Sequence, residues 1–216
     1  MCQARYIWAM QIIHILKEWW QHQTLLEITG VVTGLLCVYL AAINNIWNWP
    51  IAIVSTGLYV YIFGKTGFYA DMLQYIYLFV TSIYGWYFWS KHPKTEDKSP
   101  ILRATQKQLL ISAIIVIIVT PALGYTLIAF AAALHYNPPA YPYIDSFCTA
   151  CSFVAQVFLA RKVLENWLIW FFVDIIYVVV YFKKHLEATA FMFIILIIIA
   201  AFGYLDWKKE YKKQAL

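Results

Sequence analysis

Between Asn166 and Lys184 the chain reads N-W-L-I-W-F-F-V-D-I-I-Y-V-V-V-Y-F-K-K, a helix-length apolar run with one carboxylate, Asp174, in its middle. About 20 helical residues cross the ~30 Å hydrocarbon core of a bilayer, so the run is long enough to span it. In lipid such a segment has to satisfy its own backbone N–H and C=O groups, which leaves the helix as its solution. Asn166, Trp170, Asp174, Tyr177 and Tyr181 recur at helical spacing and share one stripe. An acid at bilayer depth costs at least about 2.5 kcal/mol on insertion scales, so it should face protein-lined or water-filled space and marks a candidate functional site. The competing reading is a hydrogen bond from Asp174 to a neighbouring helix.

The rest of the chain repeats this character. Of 216 residues 63% are hydrophobic and 12% charged, with a mean hydropathy of +0.66. That composition describes an integral membrane protein. The runs are helix-length and lack the short alternating pattern of an outer-membrane barrel, so the expected fold is an all-α polytopic bundle. Spans are expected at 24–42, 46–63, 68–89, 109–134, 144–160, 166–184 and 186–207. They are preceded over 1–22 by a shorter, mixed segment that reads as an interfacial or extra membrane helix. A polar connection with Lys91, Lys94, Lys98 and Arg103 covers 91–108, and 208–216 is a basic tail.

Along alternating sides of these crossings, Lys91, Lys94, Lys98, Arg103, Lys107, Arg161, Lys162, Lys208, Lys209, Lys212 and Lys213 gather on one side. Arg5, Lys17, Lys65, Lys183 and Lys184 fall on the other. The first side is expected to be cytoplasmic, and with it the C-terminus. The net charge of +5 is therefore a topology signal, and no nucleic-acid partner is expected. Cys37, Cys148 and Cys151 lie in apolar segments. The C-x-x-C formed by the last two reads as small packing residues rather than a redox pair. With no H-E-x-x-H or P-loop pattern, neither a metal, another cofactor nor direct ATP hydrolysis is called for.

The chain also matches itself. A step of 121 residues lays Asn45 and Trp49 on Asn166 and Trp170, and a step of 118 lays Gly85 and Trp89 on Gly203 and Trp207. With the span lengths, this predicts two parallel three-helix units, 24–90 and 144–207. Three crossings reverse the chain, so a fourth, 109–134, has to return it. Its scarcity of polar side chains fits that role. In such a plan the substrate binds between the units near the midplane. Asp174, about 12 Å along the helix from Asn166, would lie at that depth.

The elements W-N-W-P (47–50), F-Y-A-D-M-L-Q (68–74), I-Y-G-W-Y-F-W (83–89), D-S-F-C-T-A-C-S-F-V-A-Q (145–156) and A-R-K-V-L-E-N-W-L-I-W (160–170) resemble the PnuC family of bacterial vitamin transporters. The resemblance covers about 24–213. It implies a SWEET-like 3+1+3 helix bundle in the cell inner membrane, carrying nicotinamide riboside by facilitated diffusion. A cytoplasmic kinase would then trap the vitamin by phosphorylating it. Relatives in the family carry thiamine or riboflavin.

The substrate-binding candidates are Asn48, Trp49, Gln74, Gln156, Asn166, Trp170, Asp174 and Tyr177. Trp49, Trp170 and Tyr177 would flank a flat ring, the amides would bond a carboxamide or ribose, and Asp174 would balance a positive charge. For Asn166 the structural alternative is a helix cap, and for Trp47 and Trp49 it is an interfacial anchor. An integral membrane enzyme is the rival class, but the dense polar cluster it would need near an interface is not seen. The sequence leaves the oligomeric state open, a homo-oligomer included.

Overall fold

The computed structural model describes residues 25–66, 69–91, 101–133, 135 and 140–214. The N-terminal segment 1–22 lies outside them. Among the described residues there are seven helices: α1 (Leu25–Ala42), α2 (Asn48–Thr66), α3 (Tyr69–Lys91), α4 (Gln106–Ala133), α5 (Pro142–Ala160), α6 (Asn166–Lys183) and α7 (Glu187–Gln214). The last four are long and apolar enough to cross a membrane, and Thr29–Ala42 in α1 is a shorter apolar helix. The helices α2 and α3 dilute their apolar residues with Asn48, Ser55, Thr56, Gln74, Thr81 and Ser82.

Six helices close into a ring. The packing runs α1 on α2, α2 on α3, α3 on α5, α5 on α6, α6 on α7, and α7 back on α1. The seventh, α4, packs on α5 alone and stands outside the ring. Its Leu110, Ile117, Ile118 and Tyr125 are exposed, as a lipid-facing surface requires. Pro121 sits inside it.

The contacts that hold the ring occur twice, 118 residues apart. The connections α1–α2 and α5–α6 have matching backbones. Asn44 (φ 54°) and Lys162 (φ 55°) both take the left-handed conformation. The Asn45 N–H donates to the Leu40 carbonyl at 2.8 Å, and the Val163 N–H to the Phe158 carbonyl at 2.8 Å. Beyond them, Trp49 meets Trp89 edge to face at 5.4 Å, and Trp167 meets Trp207 edge to face at 5.6 Å. Trp89 and Trp207 approach each other at 6.1 Å and join the two sets. Tyr59, Phe63 and Tyr75 form a three-ring cluster that Tyr177, Tyr181 and Phe193 repeat, with Tyr59–Tyr75 at 4.8 Å and Tyr177–Phe193 at 4.9 Å.

One step of 118 residues thus relates the whole set, and Trp49 corresponds to Trp167. The 121-residue register that put Trp49 on Trp170 is corrected. The pair equivalent to Asn166-Trp167 is Asn48-Trp49, and each pair opens its helix. The reason is the glycine that faces each indole. A Cβ on Gly85 would lie 2.5 Å from the Trp49 ring, and one on Gly203 would lie 2.8 Å from the Trp167 ring. Only a bare backbone lets the rings lie there. Of the G-x-x-x-G in α1, Gly30 lies beneath the Tyr59 hydroxyl, while a Cβ on Gly34 would meet nothing within 4 Å. Among the described residues, Gly34 therefore packs against no other helix.

Overpacking a filled site typically costs about 1–3 kcal/mol. Gly85→Val and Gly203→Val should each lower the thermal unfolding temperature of the detergent-solubilised protein by several degrees. Gly34→Ala should leave it within about a degree. Equal shifts in all three would contradict the glycine contacts.

Candidate functional site

The ring encloses a cavity of about 470 Å³. Equivalent residues of both halves line it: Trp49 with Trp167, Tyr59 with Tyr177, Tyr75 with Phe193, and Leu78 with Leu196. The helices α2 and α6 face it without packing on one another. It therefore lies between the two sets of repeated contacts.

Six of the eight candidates line this cavity, namely Asn48, Trp49, Gln156, Trp170, Asp174 and Tyr177. Asp174 is 5% exposed, and no hydrogen bond or ion pair to a neighbouring helix accounts for it among the described contacts. Its place on α6 follows from the stripe it shares with Trp170 and Tyr177. Gln156 comes from α5 and is buried. Tyr177 meets Phe193 at 4.9 Å and Tyr181 at 5.9 Å, both with the rings tilted. Trp49 is 1% exposed whereas Trp47 is 64% exposed, so the interfacial reading suits Trp47 and not Trp49.

The other two candidates are not brought to the cavity. Asn166 is fully buried, and its Nδ2 donates to the Val163 carbonyl at 2.7 Å, bracing the turn that leads into α6. Gln74 is half-buried on α3 and is not part of the lining. Of the Asp174 stripe, Trp170, Asp174 and Tyr177 line the cavity, and Asn166 and Tyr181 do not. Helical spacing alone cannot say whether the face carrying Gln74 meets the cavity or a neighbouring helix. Thr56, Tyr59, Tyr75, Ser82 and Trp167 line the cavity without having been singled out. The repeat in its correct register would have found three of them, since it carries Tyr177 to Tyr59, Asp174 to Thr56 and Trp49 to Trp167.

The end of the cavity at the start of α2 and α6 is sealed by the four paired tryptophans. There Trp49 Nε1, Trp167 Nε1, Asn48 Oδ1 and Asn166 Oδ1 are buried without a hydrogen-bond partner in the protein. Buried polar atoms normally find partners, so Asn48 and Trp49, which both line the cavity, offer an acceptor and a donor at this end, while Asn166 stays outside the lining. Behind the seal, the segment after residue 100 is strapped to the α5–α6 connection. The Leu102 N–H donates to the Lys162 carbonyl and the Leu164 N–H to the Leu102 carbonyl, both at 2.9 Å. Glu165 accepts from Arg103 Nε at 3.0 Å and from the Ala104 N–H at 2.7 Å. That hydrogen bond and the carboxylate charge raise the Arg103 pKa above its already high ordinary value. Ile101 is buried in the tryptophan cluster, and the Lys162 ammonium lies 4.2 Å over the Trp89 ring.

Among the described residues lining the cavity, Asp174 is the only one with a formal charge, and none is basic. Hydroxyls, an amide pair and aromatic faces complete its chemistry. Such a site can hold a flat ring bearing positive charge and hydroxyl groups. It presents no nucleophile paired with a base, as covalent catalysis would require.

Comparison with known proteins agrees with this geometry. The sequence profile of a family described as Nicotinamide mononucleotide transporter matches residues 24–209. The nicotinamide riboside transporter PnuC of Escherichia coli (strain K12) is 29% identical over 201 residues, covering 84% of each chain. The protein of the same name from Neisseria mucosa is 24% identical over 193 residues, 86% of this chain and 73% of that one. The riboflavin/roseoflavin transporter RibM of Streptomyces davaonensis is 23% identical over 196 residues, 87% of this chain and 86% of that one. A crystal structure described as that of the Vitamin B3 transporter PnuC shares the fold. Its TM-score is 0.66 at 22% identity, over 97% of this chain and 92% of that chain. These relatives are named transporters, not enzymes, which removes the rival class. With the helical ring and its central cavity, the match establishes that the chain belongs to the nicotinamide mononucleotide transporter family, the PnuC family of membrane transporters.

Proposed function

We propose that the protein is a facilitative carrier of nicotinamide riboside and that the central cavity is its binding site. One observation carries this reading. The aromatic cavity holds a single buried acid and, among its described lining residues, no basic side chain. Nicotinamide riboside has a pyridinium charge for Asp174, a ring for Trp49, Trp170 and Tyr177, and a carboxamide and ribose hydroxyls for Gln156 and Asn48. Its 5′-phosphorylated form would bring a dianion into the cavity with no cation to meet it, and burying an unpaired charge is strongly unfavourable. The cavity therefore favours the riboside over the mononucleotide of the family's description. Thiamine, also a flat cation, is the second reading. The likeness to a riboflavin transporter supports a scaffold that accepts more than one vitamin.

The recurrence of contacts at 118 residues and the outside position of α4 support a SWEET-like 3+1+3 plan, with all seven helices crossing the cell inner membrane. The basic residues Lys91, Arg103, Lys107, Arg161, Lys162, Lys208 and Lys209 lie at the end where α3, α5 and α7 finish, which supports a cytoplasmic C-terminus. Among its described lining residues the cavity holds no ion-pair network for coupling. Net uptake would come from a cytoplasmic kinase that phosphorylates the vitamin and so keeps it from returning.

Equilibrium binding of nicotinamide riboside, thiamine and riboflavin to the purified protein tests the assignment. The riboside should bind most tightly. Trp170→Ala and Asp174→Asn should each weaken it roughly tenfold or more, in line with losing an aromatic face or a counter-charge. Preference for thiamine would keep the site and change the vitamin, whereas binding of none of the three would remove the assignment.

In proteoliposomes, uptake should stop once the riboside concentrations are equal on both sides and should not respond to collapse of a proton gradient. Enclosing a riboside kinase with ATP should let it continue. Accumulation driven by a gradient alone would contradict facilitated diffusion. A reporter fused after Leu216 that is active only in the cytoplasm should be active, and inactivity would reverse the orientation.

A further inference from the structure

The two halves of the cavity wall share their aromatic frame but differ at several lining positions, and three of these differences point the same way. Under the 118-residue step Val38 corresponds to Gln156, Ala52 to Trp170, and Thr56 to Asp174, and all six residues line the cavity. The second half carries an amide, an indole and a carboxylate where the first half carries three small or apolar side chains. The Thr56 hydroxyl does not change this, because it donates to the Ala52 carbonyl of its own helix at 2.6 Å. Ser82 replaces Ala200 in the opposite sense, but its hydroxyl donates to the Leu78 carbonyl at 2.7 Å. At these three positions the first half therefore offers the ligand space, and the second half offers chemistry.

Space of this kind has a definite shape. Trp170 and Asp174 are one helical turn apart on α6, and Ala52 and Thr56 are one turn apart on α2. The repeated frame on either side, Trp49 and Tyr59 against Trp167 and Tyr177, fixes both helices in equivalent positions. The volume filled by the Trp170 indole on one side is consequently left open beside Ala52 on the other.

Resting on the reading of the cavity as a vitamin site, we infer that Val38, Ala52 and Thr56 are specificity-determining residues. The ring of the ligand lies in the space beside Ala52 that has no counterpart of the Trp170 indole, so the ligand is held on one side of the pseudo-two-fold axis. The ligand faces Trp170, Gln156 and Asp174 from that side, and the size of residues 52 and 56 limits how wide a ring can enter.

Binding of nicotinamide riboside, thiamine and riboflavin to Ala52→Val, Ala52→Leu, Ala52→Trp and Thr56→Ala, each checked for monodisperse elution, tests this. The ligand that the unaltered protein prefers should bind at least tenfold more weakly to Ala52→Leu and not measurably to Ala52→Trp. Thr56→Ala widens the same wall, so the affinity for three-ring riboflavin relative to that ligand should rise severalfold, a change in selectivity that loss of packing would not produce. Where Ala52→Trp is not monodisperse, a loss of about threefold or more in Ala52→Val supports the same conclusion. Unaltered affinity across the Ala52 series, or an unaltered selectivity ratio in Thr56→Ala, overturns the one-sided site and leaves the vitamin assignment standing. An unaltered protein that binds none of the three vitamins overturns both.

Discussion

Two indole N–H groups tie one half of the ring to the other. Trp89 donates to the Ala160 carbonyl at 3.1 Å and Trp207 to the Ala41 carbonyl at 3.2 Å. Each bond reaches from the third helix of one half to the end of the first helix of the other. The last carbonyls of a helix lack intrahelical partners, and in a buried place they need a donor. The Trp89 indole meets that need at Ala160. The Trp207 indole adds a second donor to the Ala41 carbonyl, which also accepts from the Asn44 N–H at 2.9 Å, and together the two indoles close the ring. Their positions depend in turn on Trp49 and Trp167, which lie against the bare backbones of Gly85 and Gly203. Much of the architecture follows from this arrangement: the equivalent helix starts at Asn48 and Asn166, the sealed end of the cavity, and the space between α2 and α6.

The space is useful because the ring is not fully symmetric. A cavity with strictly equivalent walls would present each group twice and would have no preferred side for a small ligand. Here the frame is duplicated and the chemistry is not, since Gln156, Trp170 and Asp174 have no chemical counterparts at Val38, Ala52 and Thr56. Duplication gives a stable enclosure through repeated aromatic contacts, and under the proposed function divergence at a few lining positions would supply recognition. The acid is tolerated at this depth because it faces the cavity, away from lipid. The residues that strap the far side of the tryptophan seal, Ile101 to Ala104 and Glu165, keep the basic end of the bundle compact.

Much of this was legible in the sequence, for identifiable reasons. Apolar runs of helical length limit a chain to few arrangements, and the spacing of Trp170, Asp174 and Tyr177 puts all three on the face of α6 that lines the cavity. The repeat was visible but its register was not. The stretch Asn44-Asn45-Ile46-Trp47-Asn48-Trp49 offers several Asn-Trp spacings, and one of them matches Asn166 and Trp170 as well as the correct one matches Asn166 and Trp167. Only the contact with a glycine on another helix decides between them, and that contact spans 36 residues in each half. The same limit explains Gln74 and Asn166. A polar residue in an apolar run has to be satisfied, but the run does not reveal whether a ligand or a nearby carbonyl does so. For Asn166 part of the answer is the Val163 carbonyl, three residues away. Tyr59 and Thr56 went unnoticed because a Tyr or Thr in a membrane helix is unremarkable until its partner in the other half is known.

The central claim is that the cavity, acidic and without a basic side chain among its described lining, accepts a cationic nucleoside and rejects its phosphorylated form. Equilibrium binding of nicotinamide riboside and nicotinamide mononucleotide to the same purified protein tests it most directly. The account predicts that the riboside binds and that the mononucleotide binds at least about a hundredfold more weakly, a difference of ~2.7 kcal/mol. Equal or tighter binding of the mononucleotide would contradict it.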